Sequence, residues 1–381
     1  MDLILTFLML LTCAGLIFQA AALLALHFFC RRPLPPLPPG PEPGITLLKP
    51  VRGVDAATRA CLASFIRQDY PGGQILFGVA AADDPVRAIL EDLKKEHPEV
   101  DLQIIHCPEK LGLNPKVSTL RQLVPHARHN LLVISDSDVL APPDLLTHLA
   151  AALQEPGVGL TSCLYRAGPA ATVGSALEAL AISADFIPSV AVAHYLEGVS
   201  FALGAVMAVR REALEQLGGL AAIADYLADD YQLGQRVRQA GWQVTILPLV
   251  VATVQPQATI GGFLAHQLRW ARTYRVCRPW GFFGYGVTLV STWSLLSWWL
   301  GGFSWWGGSL VAAAWLTRFL VAWGAERLLL GGQLAWHFFF LLPLKDLLSF
   351  ALWVLSFLGD TVVWQGRRYR VRTDGRLQEL E

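Results

Sequence analysis

Three acidic groups fall where carboxylates could do chemistry. Asp136-Ser137-Asp138 follows the apolar run Leu131–Ile134 and precedes Pro142-Pro143. Asp83-Asp84-Pro85 follows the run ILFGVA, and Asp229-Asp230-Tyr231 opens a helical stretch after a loop. Alternate residues just past a strand can turn two carboxylates, here Asp136 and Asp138, toward one ion. Hard oxygen ligands suit Mg²⁺ or Mn²⁺. Such an ion can bridge a diphosphate and stabilise the charge on a departing nucleotide. The plain alternative for a D-x-D is a solvated turn or cap; the strand before it and the prolines after it favour a presented edge. Asp229 and Asp230, being adjacent, raise each other's pKa, which suits a general base taking a proton from a hydroxyl. Acidic residues also favour the first turn of any helix, so that reading stays open beside the first.

Cationic groups complete the set. Lys116, in the segment GLNPK, either reaches a phosphate or sits on the surface. The stretch HQLRWARTYRVCRPWGFFGYG carries His266, Arg269, Trp270, Arg272, Arg275 and Arg278. Arginines at spacing three form a cationic stripe along one helix. The stripe fits a helix snorkelling into lipid headgroups. Arg269 also fits a diphosphate, which its planar fork can grip.

These groups need elements to position them. Ile45–Leu48, Ile75–Ala80, Val100–His106 and Leu131–Ser135 read as strands. Ala56–Gln68 (capped by Asp55), Pro85–Lys95, Lys116–Leu123 and Pro143–Leu153 read as helices between and after them. That alternation predicts an α/β fold with a mainly parallel sheet covered on both faces. In such sheets ligands bind beyond the carboxyl ends of strands, where Asp84 and Asp136 fall. No G-x-G-x-x-G and no P-loop motif is present. The apolar stretch Ile182–Val209 predicts a buried or membrane-facing region ending in a strand, FALGAVMAV, where Gly204 permits close backbone approach.

The rest of the chain is lipidic. Of 381 residues 54% are hydrophobic and 16% charged, against about 25% charged in an average soluble domain. Lys+Arg and Asp+Glu number 30 each, a balance that argues against a nucleic-acid binder. Leu3–Leu26 is uncharged and, as a helix of roughly 36 Å, reaches across a bilayer. Arg31-Arg32 after it predicts an uncleaved anchor with the following segment in the cytoplasm. Pro33–Gly44 reads as a stiff, proline-rich linker. Further spans are expected near 282–300, 303–323 and 335–358, with Arg318 and Lys345-Asp346 facing protein. The tail 364–376 is basic. The six cysteines match no zinc or disulfide pattern and read as free thiols.

In order, the segments LLKPVRGVD, QDYPGG, DDP, GLNPK, SDSD, ADYLADDYQLG, HQLRW and WQGRRYRVR resemble the ceramide glucosyltransferases, glycosyltransferase family 21 within the broader family 2 type. The resemblance covers nearly the whole chain. FALGAVMAVRREAL, DYLADDYQLG and AHQLRWARTYRVCRP resemble the bacterial hopanoid-biosynthesis branch still more closely. It implies a GT-A nucleotide-diphospho-sugar transferase domain with transmembrane helices at both ends, and inversion at the anomeric carbon. By position in the motifs, Asp84 would contact uridine, Asp136 would lie at the metal and diphosphate, and Asp230 would be the catalytic base. Arg269 and Trp270 would end the family's Q/R-x-x-R-W motif, whose first position here is His266. Asp138 stands where the animal ceramide enzymes have Gly, so a metal on both acids is an expectation from these residues and does not transfer from those enzymes.

The expected organisation is an anchor (1–30), a linker (31–44), a GT-A domain (45–255), an interfacial basic helix (256–280), membrane or re-entrant helices (281–360) and a basic tail (361–381). The expected partners are a UDP-sugar, a membrane-lipid acceptor and the bilayer, with the catalytic domain on the cytoplasmic face of a bacterial inner membrane. The hopanoid branch implies N-acetylglucosamine passed to bacteriohopanetetrol; the ceramide branch implies glucose passed to ceramide. A processive polysaccharide synthase and a non-catalytic membrane binding protein are the readings from other classes.

Overall fold

Leu131–Ser135 is apolar up to its last residue, a pattern suited to a strand covered on both faces, and all five residues are buried. The computed structural model describes residues 2–36, 42–254, 258–332 and 334–380. Part of the expected proline-rich linker, 37–41, lies outside them. Eight strands form the main sheet: β1 (Ile45–Val51), β2 (Gly73–Val79), β3 (Asp101–His106), β4 (Leu131–Ser135), β5 (Val139–Leu140), β6 (Val158–Ala167), β7 (Val206–Arg210) and β8 (Gln243–Thr253). Their order is β3-β2-β1-β4-β7-β6-β8-β5. The first four strands in that order are parallel, with Val51 opposite Val79 and Leu48 opposite Ile134. β7 is antiparallel to both neighbours, while β6 and β8 are parallel.

The predicted strand over 201–209 begins only at Val206. Residues before it are drawn out of the ladder by other bonds: the Leu203 amide donates to Ser162 Oγ at 3.2 Å. The helix expected over 56–68 spans Thr58–Ile66, and Asp55 Oδ1 does accept the amides of Ala57 (2.9 Å) and Thr58 (2.8 Å) at its start.

Among the described residues four helical stretches are long and apolar enough to cross a membrane: Leu3–Cys30, Val173–Leu196, Trp305–Leu329 and Trp336–Ser356. Val173–Leu196 is mostly buried inside the protein. The span expected near 282–300 is instead two shorter helices, Pro279–Thr288 and Val290–Leu300. The Trp293 indole donates to the Gly286 carbonyl at 2.7 Å, so a side chain takes an acceptor where the two helices meet. The basic tail, to which the sequence analysis assigns no element, is also structured. It folds as an antiparallel sheet of β9 (Thr361–Trp364), β10 (Arg367–Val371) and β11 (Leu377–Leu380). Alternation explains this: Tyr369 and Val371 point inward while Arg368 and Arg370 point out.

The anchor helix is not a separate tether. Ala22, Leu26 and Phe29 are buried in the same apolar cluster as the main sheet. Between the apolar helices lies a buried ionic network of two acids and two bases. Arg318 pairs with Asp185 and Asp346 at 2.6 Å each, and Lys345 reaches the same two carboxylates at 2.5 and 3.0 Å. Ser291 and Tyr285 donate to the remaining acceptor positions, at 2.5 and 3.1 Å. The charges sum to zero, which is what makes their burial tolerable. Removing one acid leaves two cations to one carboxylate. Asp346→Asn is therefore expected to cost about 3–5 kcal/mol, read as a lower melting temperature in detergent; an unchanged melt would mean that the network contributes nothing to stability.

Candidate active site

Because β1, β2 and β4 are parallel and in register, their carboxyl ends bring Arg52, Asp84 and Asp136 to one edge. β7 runs the other way, with Val206 opposite Ser135, so the loop before it returns over the same edge. The Asp136 amide donates to Ala205 O at 3.1 Å. A cavity of about 1140 Å³ opens there and continues toward the apolar helices. One half is bordered by Asp84, Lys116, Asp136 and Asp138. The other is lined by Phe18, Phe186, Leu196, Phe282 and Trp353.

Lys116 sits at the first turn of helix Pro115–Leu123, whose start is fixed by Asn114 accepting the Val117 amide at 3.1 Å. Its ammonium lies 2.7 Å from Asp136 Oδ1 and 3.1 Å from Asp229 Oδ2. Burial alone would lower its pKa; the two carboxylates outweigh burial and raise it, so the group stays charged. Asp230 follows on helix Asp229–Gln239. Burial first, then the neighbouring Asp229, push its carboxyl up to about 7. Its Oδ1 accepts the Tyr231 amide at 2.7 Å. Gly204 makes room for it: a Cβ there would lie 2.9 Å from Asp230 Oδ2.

Asp138 is pushed up to about 6, by burial and then by Asp136. Behind this turn lies Lys49, fully buried in β1. Its ammonium donates to Ser135 Oγ (3.0 Å) and the Asp136 carbonyl (2.5 Å) and stands over the Phe65 ring at 3.9 Å. Burial lowers Lys49 to about 7. Among the described residues no group of three or more His, Cys, Asp and Glu is placed to hold a metal. The chemistry of the Asp136–Asp138 pair nevertheless fits one. An acid pair in which Asp136 opposes the ionisation of Asp138 suits a divalent cation whose remaining oxygen ligands come from a diphosphate and water.

The helix Ile260–Cys277 carries His266, Arg269 and Trp270 along the cavity. Glu178, 7% exposed, holds this helix from across the gap. Its Oε2 accepts from Gln267 Nε2 at 3.1 Å, and its Oε1 lies 2.8 Å from His266 Nδ1, without the in-plane geometry of a hydrogen bond. Trp270 is packed edge-on against His266, with ring centroids 4.7 Å apart, and touches Tyr274 and Phe186. Burial lowers the Arg269 pKa, and Glu178 acts against that. Among the described residues its guanidinium enters no hydrogen bond or ion pair.

The structure therefore brings Lys116, Asp136, Asp138 and Asp230 together, with His266, Arg269 and Trp270 on the facing helix. Asp84 borders the same cavity, but its oxygens are in use: both accept the Gly53 amide at 3.0 Å, and Oδ1 also accepts that of Val86 at 3.0 Å. It clamps the loop after β1. Sequence reasoning missed Lys49, Glu178 and the partnership of Asp229 with Lys116. The first two carried a signal, since each is a lone charge within an apolar run.

A mostly parallel curled sheet with acidic turns at its carboxyl edge, joined to apolar helices, defines a membrane-associated GT-A glycosyltransferase. The chain belongs to the family described as Glycosyl transferase family 21, whose sequence profile matches residues 7–377. Ceramide glucosyltransferase 1 of Caenorhabditis elegans is 26% identical over 235 residues, 60% of this chain and 49% of that protein. The ceramide glucosyltransferase of Komagataella phaffii is 36% identical over 115 residues, 29% of this chain and 22% of that protein. The chain thus spans half or less of the length of these relatives. In fold it is similar to a mannosyltransferase from Pyrobaculum calidifontis, solved in complex with GDP-Man and Mn²⁺. That likeness has a TM-score of 0.51 and 19% identity, covering 91% of this chain and 99% of that one.

The contact between Gly204 and Asp230 can be tested directly. Gly204→Ala would press on the carboxylate, and displacing a reacting group by a fraction of an ångström is expected to lower kcat by about 10- to 100-fold. The melting temperature should barely move. Unchanged kcat would show that the close approach has no bearing on turnover.

Proposed function

We propose that this chain is a membrane-bound, inverting glycosyltransferase that passes a sugar from a UDP-sugar to a hydroxyl of a membrane lipid. The supporting observation is the position of Asp230. It is a buried carboxyl, pushed up to about 7, where the acidic strand edge meets the apolar half of the cavity. A donor needs the first surface and a lipid acceptor the second, and the group between them has the pKa of a general base working near neutrality.

In this reading the nucleotide lies over the strand ends, beside Asp84. Asp136 and Asp138 would hold Mg²⁺ or Mn²⁺, which supplies electrostatic stabilisation of the diphosphate. Asp230 takes the proton of the acceptor hydroxyl. The hydroxyl oxygen forms the new bond to the anomeric carbon from the face opposite the leaving group. The bond from that carbon to the diphosphate oxygen breaks, and its electron pair leaves with UDP. Arg269, which enters no ion pair among the described residues, faces that developing charge. Lys116 contributes less, because Asp136 and Asp229 already share its charge. His266 and Trp270 hold the helix face that presents Arg269.

For the substrates we propose N-acetylglucosamine from UDP-GlcNAc and bacteriohopanetetrol. This follows the likeness of the segments around Gly204, Asp230 and Arg269 to the hopanoid branch. The catalytic side would then face the cytoplasm across a bacterial inner membrane. A second reading, glucose passed from UDP-glucose to ceramide, has the names of the relatives in its favour.

Product mass separates them when membranes containing the protein receive both lipids and each UDP-sugar in turn. An N-acetylhexosamine on the hopanoid supports the favoured pair. A hexose on ceramide replaces it with the second, and a polymer points to a processive synthase. No product with any donor would sink the transfer reading.

Asp230→Asn is expected to lower kcat by at least about 10²–10⁴-fold. Its pH dependence has a definite sign. A base must be deprotonated, so wild-type kcat/KM should climb as pH rises through about 7 and level off above. The residual activity of Asp230→Asn should lack that limb; a wild-type profile flat from pH 5 to 9 would exclude Asp230 as the base.

A further inference from the structure

We propose that the β9–β10 hairpin is part of the donor site, with Trp364 and Gln365 at its tip walling the nucleotide half of the cavity. This rests on the UDP-sugar reading above. Trp364, Gln365 and Arg367 line the same cavity as Asp84 and Asp136, although almost 300 residues separate them from Asp84 in the chain. Gln365 Oε1 accepts from Arg52 Nη1 at 2.8 Å. Arg52 adjoins Gly53, whose amide is held by the Asp84 carboxylate. A continuous chain of contacts thus runs from the acidic strand edge to the hairpin tip.

The turn itself is unusual. Trp364 pairs with Arg367 across a two-residue loop in which both Gln365 (φ 50°) and Gly366 (φ 80°) have positive φ. Such turns prefer Asn-Gly or Asp-Gly, because a longer side chain at the first position is strained there. Gln accepts that strain while its amide reaches Arg52, a reach that Asn falls one methylene short of.

The hairpin is also firmly seated, through β11 that pairs with it. The Leu377 amide donates to Asp225 O at 2.7 Å, and Glu379 pairs with Lys110 at 2.8 Å. Tyr369 and Leu377 are buried against Leu227, three residues before Asp230. An indole held at the rim of a cavity with acidic and cationic walls suits the face of a nucleobase. Stacking of that kind is tolerant of which base is present and sensitive to loss of the ring.

Titration of UDP with Mn²⁺ into the purified full chain tests this. Trp364→Ala should weaken binding about tenfold, and Trp364→Phe should recover most of the loss. Gln365→Asn should weaken it several-fold while the melting temperature holds or rises, since Asn-Gly relieves the turn. A purely structural hairpin predicts the opposite for Gln365→Asn: a sturdier protein binding UDP as well as before. If wild type binds UDP and all three variants match it within about twofold, the inference is overturned and the donor reading stands. If wild type binds no UDP, the donor reading falls and takes this inference with it.

Discussion

The ammonium of Lys116, shared between Asp136 and Asp229, is the contact on which the site depends. It joins the turn after β4 to the start of the helix bearing Asp230, two segments that no strand pairing connects directly. Four carboxyl groups crowd this edge: Asp136, Asp138, Asp229 and Asp230. Without a fixed cation among them their mutual repulsion would spread them apart or protonate them. With it, Asp136 and Asp229 are ion-paired to Lys116, while Asp138 and Asp230, outside those pairs, have raised pKa values. The same charge that holds the loops together thereby divides the acids into two kinds, those paired with a cation and those whose carboxyls are pushed up.

Much of this was legible in the sequence, for physical reasons that can be named. A parallel sheet must deliver the residues after its strands to one edge. A run such as LLVIS followed by Asp136 therefore placed that carboxylate at the edge where the cavity opens. The Asp229-Asp230 pair was legible because two adjacent acids at a helix start carry a predictable effect on each other. The charges at Arg318 and Lys345-Asp346 were legible as inward-facing, since lipid would not accept them. What escaped reading was long-range pairing. Glu178 reaching Gln267, Lys49 lying under the Asp136 turn, and the tail folding as β9–β11 all depend on contacts between distant segments. Basic residues in alternation with Tyr369 and Val371 had the period of a strand, but the tail was read for its charge alone. The span expected near 282–300 failed for a related reason: hydropathy counts residues, while the break between its two helices coincides with one indole bonding one carbonyl.

The site also depends on the apolar half of the protein. Helix Val173–Leu196 runs buried through the middle and contributes to both sides. Its Glu178 holds the helix bearing Arg269, and its Asp185 closes the ionic network with Arg318 and Lys345. One element thus ties Arg269, on the cavity wall, to the charge balance of the apolar helices. Soluble and lipidic portions share a single packed interior, so neither can be altered in isolation.

That shared interior has a consequence for how the chain is assembled. Thr12, in the anchor helix, lies 3.4 Å from Ser297, a hydroxyl pair separated by 285 residues. Ala22 and Leu26 of the same helix are buried against neighbours far along the chain. During synthesis the anchor emerges with those buried faces uncovered and has no native partner until the distal helices follow. Contacts this remote in sequence form slowly, and chains that rely on them expose apolar surface in the interval. A bilayer around these helices would cover that surface in the meantime and so act as the medium in which folding is completed.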